Sequence, residues 1–383
     1  MRVAVIVKSL QIGGMERAAI NLANTFLNEG HETHLIYFKT KKQVLSPSEL
    51  VKVHHFKLEY ILKLTVIGAI LNIFAKIMNA LVRHSYFYFQ GHLLTPIFKH
   101  KLKKLEEEYG KFDLVIVRGQ GTFEMIWAYN NDNLILQQVN ILRTSHSLLN
   151  DFFQRTIFSG KHIVCNAPSV FKELVKDFKI SGVRQKSLKV IPSPIHPISI
   201  ISKSEEYKPD INEKYIINIG RLVPVKNLSF LLDAYAYARY NLSLTHKLVI
   251  VGSGNLRSAL QKQAMLLNIS EFVHFTGSLS NPYPWLRCAD LFVFSSKNEG
   301  LPNVLLESLA CKTNIVSTRG RGGTIDIMSG DLLNNLTSFN TQEFAKKIIE
   351  VLASQKKINF EKHLEEYSPT YVVQEYNKFI IKR

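Results

Sequence analysis

Short apolar runs alternate with amphipathic stretches along most of the chain. Residues 3–7 (VAVIV), 112–117 (FDLVIV), 215–220 (YIINIG) and 291–294 (LFVF) are apolar segments of strand length. Apolar residues at helical spacing follow, as in residues 17–29. Apolar strands that alternate with helices are typical of a parallel sheet covered on both faces. The pattern therefore predicts an α/β protein.

A cluster of prolines marks the predicted domain boundary. A chain of 383 residues exceeds what one hydrophobic core usually holds, so we expect two domains. Residues 188–197 (LKVIPSPIHP) end a predicted strand in three prolines, and polar residues continue to Glu213. This stretch is the predicted interdomain linker. We place the N-terminal domain at 1–194 and the C-terminal domain at 195–366.

The segment 295–311 (SSKNEGLPNVLLESLAC) is the strongest candidate for ligand contact, because it joins the buried strand 291–294 to an apolar-periodic helix that starts near its proline. The turn comprises Gly300, Leu301, Pro302, Asn303 and Val304. Its free backbone N–H groups can bind an anion such as a diphosphate. The carboxylates of Glu299 and Glu307 can accept hydrogen bonds from the hydroxyls of a sugar beside this anion. The alternative is that both are solvated carboxylates.

Two cations follow the predicted strand 215–220. Arg221 and Lys226 flank a proline turn that leads into a helix. Arginine binds phosphate oxygens in bidentate fashion, and lysine acts as a point charge, so the pair suits a diphosphate. Two solvated cations are the alternative. It is less favoured because a second predicted anion site, the segment 295–311, lies further along the same half of the chain.

Further strand ends carry glycine or polar turns. Gly252 and Gly254 follow the strand HKLVIV, and Thr276 ends the strand EFVHFTG, whose backbone amides can face a flat base. Ligands of open α/β sheets collect at this carboxyl edge. We therefore assign these three residues to ligand binding.

For two sites in the first half of the chain, a structural role is the alternative to ligand binding. Gly13 and Gly14 follow the first strand and either approach a ligand or form an ordinary tight turn. His146 lies in a polar turn and is either a ligand contact or a structural histidine.

The net charge of +17 predicts an anionic partner, which admits nucleotide sugars, anionic lipid surfaces and nucleic acid. No nucleic-acid motif accompanies it. Residues 57–104 hold eight Lys or Arg against Glu59 alone, with apolar and aromatic residues between them. Such a stretch can lie in the headgroup layer of an anionic membrane, and a core helix pair with a solvated basic face is the alternative. Its apolar, uncharged run at residues 64–75 is too short to span a bilayer.

Cysteine usage favours a reduced, cytoplasmic setting. The three cysteines, Cys165, Cys288 and Cys311, are far apart and odd in number. Lys8 directly follows the first apolar run, which indicates a strand and not an export segment.

Five motifs together resemble glycosyltransferase family 4, of the bacterial cell-surface polysaccharide or lipid-linked saccharide type. They are GRLVPVKN (220–227), VGSGN (251–255), FTGSL (275–279), ADLFVFSSKNEGLPNVLLESLA (289–310) and the glycine loop that follows residue 318. The resemblance covers nearly the whole chain. It implies the GT-B fold: two Rossmann-like, doubly wound domains that face each other across a cleft. It also implies an N-terminal acceptor domain, a C-terminal donor domain and a helix over 367–383 that crosses back to the N-terminal domain.

The resemblance implies roles for individual residues. Arg221 and Lys226 would hold the diphosphate of a nucleotide sugar and neutralise the leaving group. Glu299 would bind the donor sugar ring, Glu307 the ribose, and His146 the donor sugar. The two glycines at 13 and 14 would approach the same phosphates from the other domain.

The family resemblance further implies transfer with retention of configuration. A phosphate oxygen would accept the acceptor's proton, so we assign no protein nucleophile. No DxD triplet occurs, in agreement with metal independence, and no cofactor is expected. Asp326 stands where the family more often has Glu, and Arg321 is either a solvated loop residue or a contact to donor or acceptor.

The expected activity is transfer of a hexosyl or N-acetylhexosaminyl group, with a UDP-sugar as favoured donor. The acceptor would be a saccharide or a lipid-linked saccharide at the inner face of the cell membrane. A phosphorylase or epimerase of the same fold is an alternative, but it would need a cofactor lysine motif or different acids. An inactive basic binding protein is another, against which the intact Arg221, Lys226, Glu299 and Glu307 argue.

Overall fold

The computed structural model of the chain describes residues 1–11, 13–39, 45–81, 86–141, 147–354 and 358–381. The chain divides into two compact units, Met1–Pro194 with Pro369–Arg383, and Ile195–Ser368. Each unit is an α/β domain around a parallel sheet, as the alternation of apolar strands and amphipathic helices predicts.

The first unit contains a seven-stranded sheet. Its strands are β1 (Arg2–Val7), β2 (Glu32–Tyr37), β3 (Lys52–His55), β4 (Leu114–Arg118), β5 (Leu134–Gln138), β6 (His162–Cys165) and β7 (Ser187–Val190). Its helices, in chain order, are α1 (Gly14–Asn28), α2 (Leu58–Leu64), α3 (Val66–Leu81), α4 (Tyr86–Tyr109), α5 (Gln120–Phe123), α6 (Leu148–Phe158) and α7 (Pro168–Ser181), with a 3₁₀ turn at Glu124–Ile126. The strand order is β3-β2-β1-β4-β5-β6-β7, with all neighbours parallel.

The second unit contains a six-stranded sheet and a separate strand pair. Its strands are β8 (Tyr215–Ile219), β9 (Lys247–Val251), β10 (Val273–Gly277), β11 (Leu291–Phe294), β12 (Asn298–Glu299), β13 (Ile315–Thr318), β14 (Arg321–Gly322) and β15 (Leu336–Thr337). The large sheet has the order β10-β9-β8-β11-β13-β15, and β12 pairs with β14. Both large sheets are doubly wound, so each changes winding direction at one switch point.

The helices of the second unit, in chain order, are α8 (Pro197–Ser204), α9 (Leu228–Asn241), α10 (Arg257–Leu266), α11 (Tyr283–Arg287), α12 (Asn303–Ala310), α13 (Thr324–Ile327), α14 (Thr341–Ala353) and α15 (Phe360–Leu364). Four 3₁₀ turns lie at Pro224–Lys226, Ser270–Phe272, Gly330–Asn335 and Glu365–Tyr367. The last helix, α16 (Pro369–Ile381), belongs to the first unit, where Val372, Val373 and Tyr376 are buried in the core.

The apolar strands are buried because helices cover both faces of each sheet. All five residues from Val3 to Val7 have no exposed surface, and the four residues of β11 are also buried. Removing such side chains from water supplies most of the stabilisation of a parallel sheet, at roughly 25 cal/mol per Å² of apolar surface. This explains why these strands carry uninterrupted apolar runs and no polar alternation.

The predicted linker is shorter than the sequence suggested. The boundary between the units lies between Pro194 and Ile195, and α8 occupies much of the polar stretch that follows. Ile195 and Ile200 are buried in the core of the second unit. The expectation of an open linker as far as Glu213 is therefore wrong, because these two isoleucines anchor the stretch to the second unit.

A buried arginine fixes the chain just before this boundary. Arg118, at the end of β4, donates one hydrogen bond to Gln137 Oε1 and another to Ser193 Oγ at 3.3 Å. Burial lowers the pKa of the Arg118 guanidinium to about 10. The residues just before the boundary are thus bonded to the carboxyl ends of β4 and β5.

Among the helices that the structure describes, none is by itself long and apolar enough to cross a membrane. The bent pair Leu58–Leu64 and Val66–Ala80, with 116° between its two parts, meets that length and hydropathy when taken together.

A cluster of ionisable side chains joins the amino ends of β2 and β3. Glu32 accepts hydrogen bonds from Lys52 and Arg2, which lower the pKa of its carboxyl to about 2. His34 is fully buried between Glu32 and His54, with its Nδ1 3.0 Å from His54 Nε2. Burial, reinforced by His34, lowers the pKa of His54 to about 4, and burial also lowers the pKa of His34.

This cluster predicts an acid-sensitive fold. Between pH 6.5 and about 4 the unfolded chain binds protons that the folded His34 and His54 do not, so the free energy of unfolding falls as the pH falls. We expect a loss of roughly 2 kcal/mol over this range, measured by urea denaturation. His54→Gln should flatten the dependence, whereas the exposed His100→Gln should not. Equal pH dependence in all three proteins would contradict the assignment.

Candidate functional site

The switch point of the second sheet places two of the predicted loops side by side. Strands β8 and β11 are adjacent and parallel, with Leu291 opposite Ile216 and Phe292 opposite Ile217. The loop after β8 carries Arg221 and Lys226, and the loop after β11 carries Glu299. Neighbouring parallel strands bring their carboxyl ends to the same edge, which is where doubly wound sheets bind ligands.

Lys226 and Glu299 form an ion pair across these two loops. The ammonium Nζ lies 2.6 Å from Glu299 Oε1, and each side chain is 17% exposed. The Lys226 ammonium also lies 5.5 Å from the centre of the Phe294 ring. The sequence predicted both residues as donor contacts but not that they contact each other, 73 positions apart in the chain.

Hydrogen bonds to two backbone carbonyls hold the two loops together. Ser295 Oγ donates to the carbonyl of Lys226 at 2.9 Å, and the amide of Lys297 donates to the carbonyl of Val225 at 2.9 Å. Lys226 ends the 3₁₀ turn Pro224–Lys226, and Asn227 then takes a left-handed conformation before α9. The ammonium and the carboxylate are therefore positioned by backbone structure on both sides.

Arg221 lies on the same loop with its side chain exposed. Within the part of the chain that the structure describes, its guanidinium forms no ion pair. An exposed cation on the same loop as a mostly buried one leaves positive charge available to an anion at this edge.

Gly252 and Gly254 pack closely against the start of the loop that follows β8. A Cβ on Gly252 would lie 1.9 Å from the carbonyl oxygen of Gly220, and one on Gly254 would lie 2.3 Å from that of Leu222. Gly252 also has a φ of +144°, which side chains rarely adopt. The structure thus gives both glycines a packing role against residues 220–222, and direct contact with a ligand stays a prediction.

The predicted anion-binding turn leads into α12. The helix begins at Asn303, one residue later than Pro302, which occupies the cap position. The first backbone N–H groups of a helix have no intrahelical acceptor, so those of Asn303 and Val304 are available at this end. The preceding residues, Gly300 and Leu301, form the turn between β12 and the helix.

Glu307 lies in the second turn of α12. Tyr283 Oη, on α11, donates to Glu307 Oε1 at 3.4 Å. The carboxylate therefore projects from the same short helix as the free amides but belongs to a different hydrogen-bonded group from Lys226 and Glu299.

Thr276 lies near the end of β10, where its hydroxyl donates to the carbonyl of Gly277 at 2.9 Å. The same carbonyl accepts the amide of Gly252 at 2.8 Å. The end of β10 is thereby joined to the glycine turn behind Arg221.

The remaining predicted residues belong to the first half of the chain. Gly13 caps the start of α1, where a Cβ would meet the Glu16 carboxylate at 2.3 Å, while Gly14 has open space within 4 Å. Glu16 accepts a hydrogen bond from Ser9 at 3.0 Å. The sequence pattern did not indicate this acid beside the predicted phosphate contact. His146 lies outside the described residues.

Two glycines that were not assigned individually also shape the site. A Cβ on Gly320 would lie 2.3 Å from the carbonyl oxygen of Ser296, and one on Gly323 would lie 2.2 Å from that of Gly300. Their loop forms β14, which pairs with β12 so that Arg321 lies opposite Asn298. The glycine-rich sequence after residue 318 was the signal that could have identified them.

No group of three or more His, Cys, Asp or Glu side chains is arranged to hold a metal ion among the described residues. The charged groups at the switch point include the cations Arg221 and Lys226 and the Glu299 carboxylate. This arrangement can bind a phosphate group and accept hydrogen bonds from hydroxyls.

Comparison with known proteins identifies the family. The model of Glycosyltransferase Family 4 matches residues 12–197, and that of Glycosyl transferases group 1 matches residues 200–370. The chain belongs to these glycosyltransferases. All of the predicted residues after position 200 lie inside the group 1 match.

Two relatives of this glycosyltransferase are from Campylobacter jejuni. One is the N-acetylgalactosamine-N,N'-diacetylbacillosaminyl-diphospho-undecaprenol 4-alpha-N-acetylgalactosaminyltransferase, 33% identical over 189 residues, which cover 49% of each chain. The other is GalNAc-alpha-(1->4)-GalNAc-alpha-(1->3)-diNAcBac-PP-undecaprenol alpha-1,4-N-acetyl-D-galactosaminyltransferase, 26% identical over 95% of this chain and 91% of the relative. The chain thus spans about half the length of the first relative.

A solved structure of similar fold is HepE from Anabaena, in complex with UDP and glucose. It has a TM-score of 0.67 and 16% identity, and the match covers 100% of both chains. The likeness confirms the predicted fold class, two parallel-sheet α/β domains of the GT-B type.

The close glycine contacts of this glycosyltransferase predict a stability test. Gly254→Ala should lower the free energy of unfolding by about 2 kcal/mol or more, because the added methyl group would overlap backbone atoms of Leu222. Gly14→Ala is the control, since open space surrounds that position at the start of α1. Thermal denaturation measures both variants. A Gly254→Ala protein as stable as the wild type would contradict the close packing behind Arg221.

Proposed function

We propose that the protein transfers a hexosyl or N-acetylhexosaminyl group from a nucleotide sugar to a saccharide or lipid-linked acceptor, with retention of configuration. The observation that carries the proposal is the Lys226–Glu299 pair at the switch point, with exposed Arg221 and the amino end of α12 beside it. These groups match the two parts of such a donor, an anionic diphosphate and a sugar rich in hydroxyls.

The ion pair suggests how the donor is received. Lys226 and Glu299 neutralise each other at 2.6 Å in a partly buried place. A diphosphate competes for the ammonium and is also attracted by Arg221 and the α12 amides. Glu299 is then released to accept hydrogen bonds from the sugar hydroxyls. Glu307, which lies on α12, can accept hydrogen bonds from the ribose hydroxyls.

The same cations favour departure of the leaving group. Breaking the bond between the sugar C1 and the phosphate oxygen leaves negative charge on the nucleoside diphosphate. Lys226 and Arg221 stabilise that charge where it develops, which is the electrostatic contribution to the rate. The acceptor oxygen forms its bond to C1 on the same face and gives its proton to a phosphate oxygen. This scheme uses no protein nucleophile, metal or cofactor.

The names of similar proteins support the choice of donor and acceptor classes. HepE is described with UDP and glucose, and both Campylobacter relatives are named as N-acetylgalactosaminyltransferases that act on undecaprenol-linked saccharides. We therefore propose a UDP-sugar as donor and surface polysaccharide or lipid-linked saccharide synthesis as the setting. The first unit would supply the acceptor site, at the cytoplasmic face of the membrane.

The decisive variant is Glu299→Gln, which keeps the size of the side chain and removes its charge. We expect transfer to fall by about 100-fold or more, because the donor sugar loses a charged acceptor of hydrogen bonds. Thermal stability should change little. Glu213→Gln is the matched control, since Glu213 forms a similar 2.6 Å pair with Lys247 at the amino end of β9. Turnover of a UDP-sugar with acceptor is the measurement.

Wild-type turnover in Glu299→Gln would remove Glu299 from the reaction. Equal losses in Glu299→Gln and Glu213→Gln would show that the effect comes from general destabilisation and not from the site.

A further inference from the structure

Helix α3 has its polar side toward the protein and its apolar side toward the surroundings. The residues that face inward are small or polar: Gly68, Asn72 and Ala75 are buried. Leu71 is 38% exposed, and the most exposed large apolar residues of the helix are Val66, Ile67, Ile70, Ile73, Phe74 and Ile77. Val66 and Ile67 are 77% and 72% exposed, and the other four lie between 48% and 59%. An ordinary surface helix has the reverse arrangement.

Specific contacts fix this orientation. Tyr86 of α4 donates its hydroxyl hydrogen to Asn72 Oδ1 at 3.0 Å and its backbone N–H to Asn79 Oδ1 at 3.2 Å. A Cβ on Gly68 would lie 2.1 Å from the carbonyl oxygen of Leu62, so only glycine lets α3 approach the end of α2 this closely. The inward face is therefore built to dock on its neighbours. The alternative of a core helix pair fits α2 and α4, which bury Leu62 and Phe98, but not α3, whose large apolar residues lie outside.

The surroundings of this apolar face are cationic. Lys57, Lys63 and Lys76 are all exposed along α2 and α3. The acid of this segment, Glu59, accepts a hydrogen bond from Gln90 on α4. A surface that is apolar in the middle and basic at its edges matches the acyl chains and the phosphates of an anionic bilayer. A second copy of the chain would place the same lysines against each other, with a net charge of +17 on each copy.

We propose that α3 is a membrane-insertion helix that lies in the plane of an anionic bilayer. Its six most exposed large apolar residues enter the acyl layer, and the lysines of α2 and α3 bind headgroup phosphates. The 16 residues of α3 extend about 24 Å, less than the ~30 Å thickness of a bilayer core, so the helix lies along the surface. The inference deepens the membrane location that the proposed function assumes, and vesicle binding tests it.

The test is flotation of the full-length protein with vesicles of phosphatidylcholine, with and without phosphatidylglycerol. Ile70→Glu with Ile73→Glu should reduce the bound fraction more than tenfold on anionic vesicles, at both 0.1 M and 0.5 M NaCl. Lys63→Glu with Lys76→Glu should reduce it only at the lower salt concentration, because salt already screens those charges in the wild type. Ile180→Glu with Val175→Glu is the matched control, since both side chains are exposed on α7 of the same unit.

A second measurement reports insertion directly. Tryptophan at position 70 (Ile70→Trp) should be quenched by lipids brominated on their acyl chains, whereas Ile180→Trp should not be. Unchanged flotation of the Ile70→Glu, Ile73→Glu protein, or equal quenching of the two tryptophans, would overturn the proposal. A wild-type dimer in sedimentation that the double variant converts to monomer would also overturn it, in favour of a second copy as the partner.

Failure here and failure of the proposed function are distinguishable. The Ile70→Glu, Ile73→Glu protein should still transfer sugar to a soluble acceptor at the wild-type rate, because both substitutions lie on the exposed face of α3 and alter none of the donor residues of the second unit. Loss of vesicle binding with retained transfer supports the inference.

Discussion

The loops that follow β8 and β11 are bonded to one another, and the proposed donor site depends on those bonds. Ser295 donates to the carbonyl of Lys226, the amide of Lys297 donates to Val225, and the Lys226 ammonium reaches Glu299. A cation and a carboxylate that must meet the phosphate and the sugar of one donor are thus held by backbone structure. Flexible side chains alone would lose rotamer entropy each time a ligand bound.

The glycines around this edge also help to keep the loops after β8 and β11 rigid. Gly252 and Gly254 pack against the loop of Arg221, and Gly320 and Gly323 pack against the loop of Glu299. Each contact brings one backbone within the distance that a methyl group would occupy. The site is therefore a set of closely packed turns at a switch point, and few side chains remain to carry the chemistry.

The sequence predicted the parts of the fold that depend on local pattern. Uninterrupted apolar runs such as residues 291–294 gave buried parallel strands, because both faces of those strands are covered. Spacing and residue type also brought Arg221, Lys226 and Glu299 to one site, since strand ends of a doubly wound sheet share an edge.

Features that depend on long-range packing were not predictable. The pairing of Lys226 with Glu299 arises only when segments 73 positions apart in the chain meet. The outward orientation of the apolar face of α3 could not be predicted from the sequence for another reason. Helical periodicity shows that a helix has two faces, but not which of them the rest of the protein covers.

The central claim is that the loops after β8 and β11 together bind the diphosphate of a sugar donor. Hydrogen exchange of the backbone amides, measured by mass spectrometry with and without a UDP-N-acetylhexosamine, tests this most directly. The account predicts slower exchange in residues 220–227 and 300–305 together, and no change at the amino end of β9. Protection of neither loop, or protection confined to another part of the chain, would contradict it.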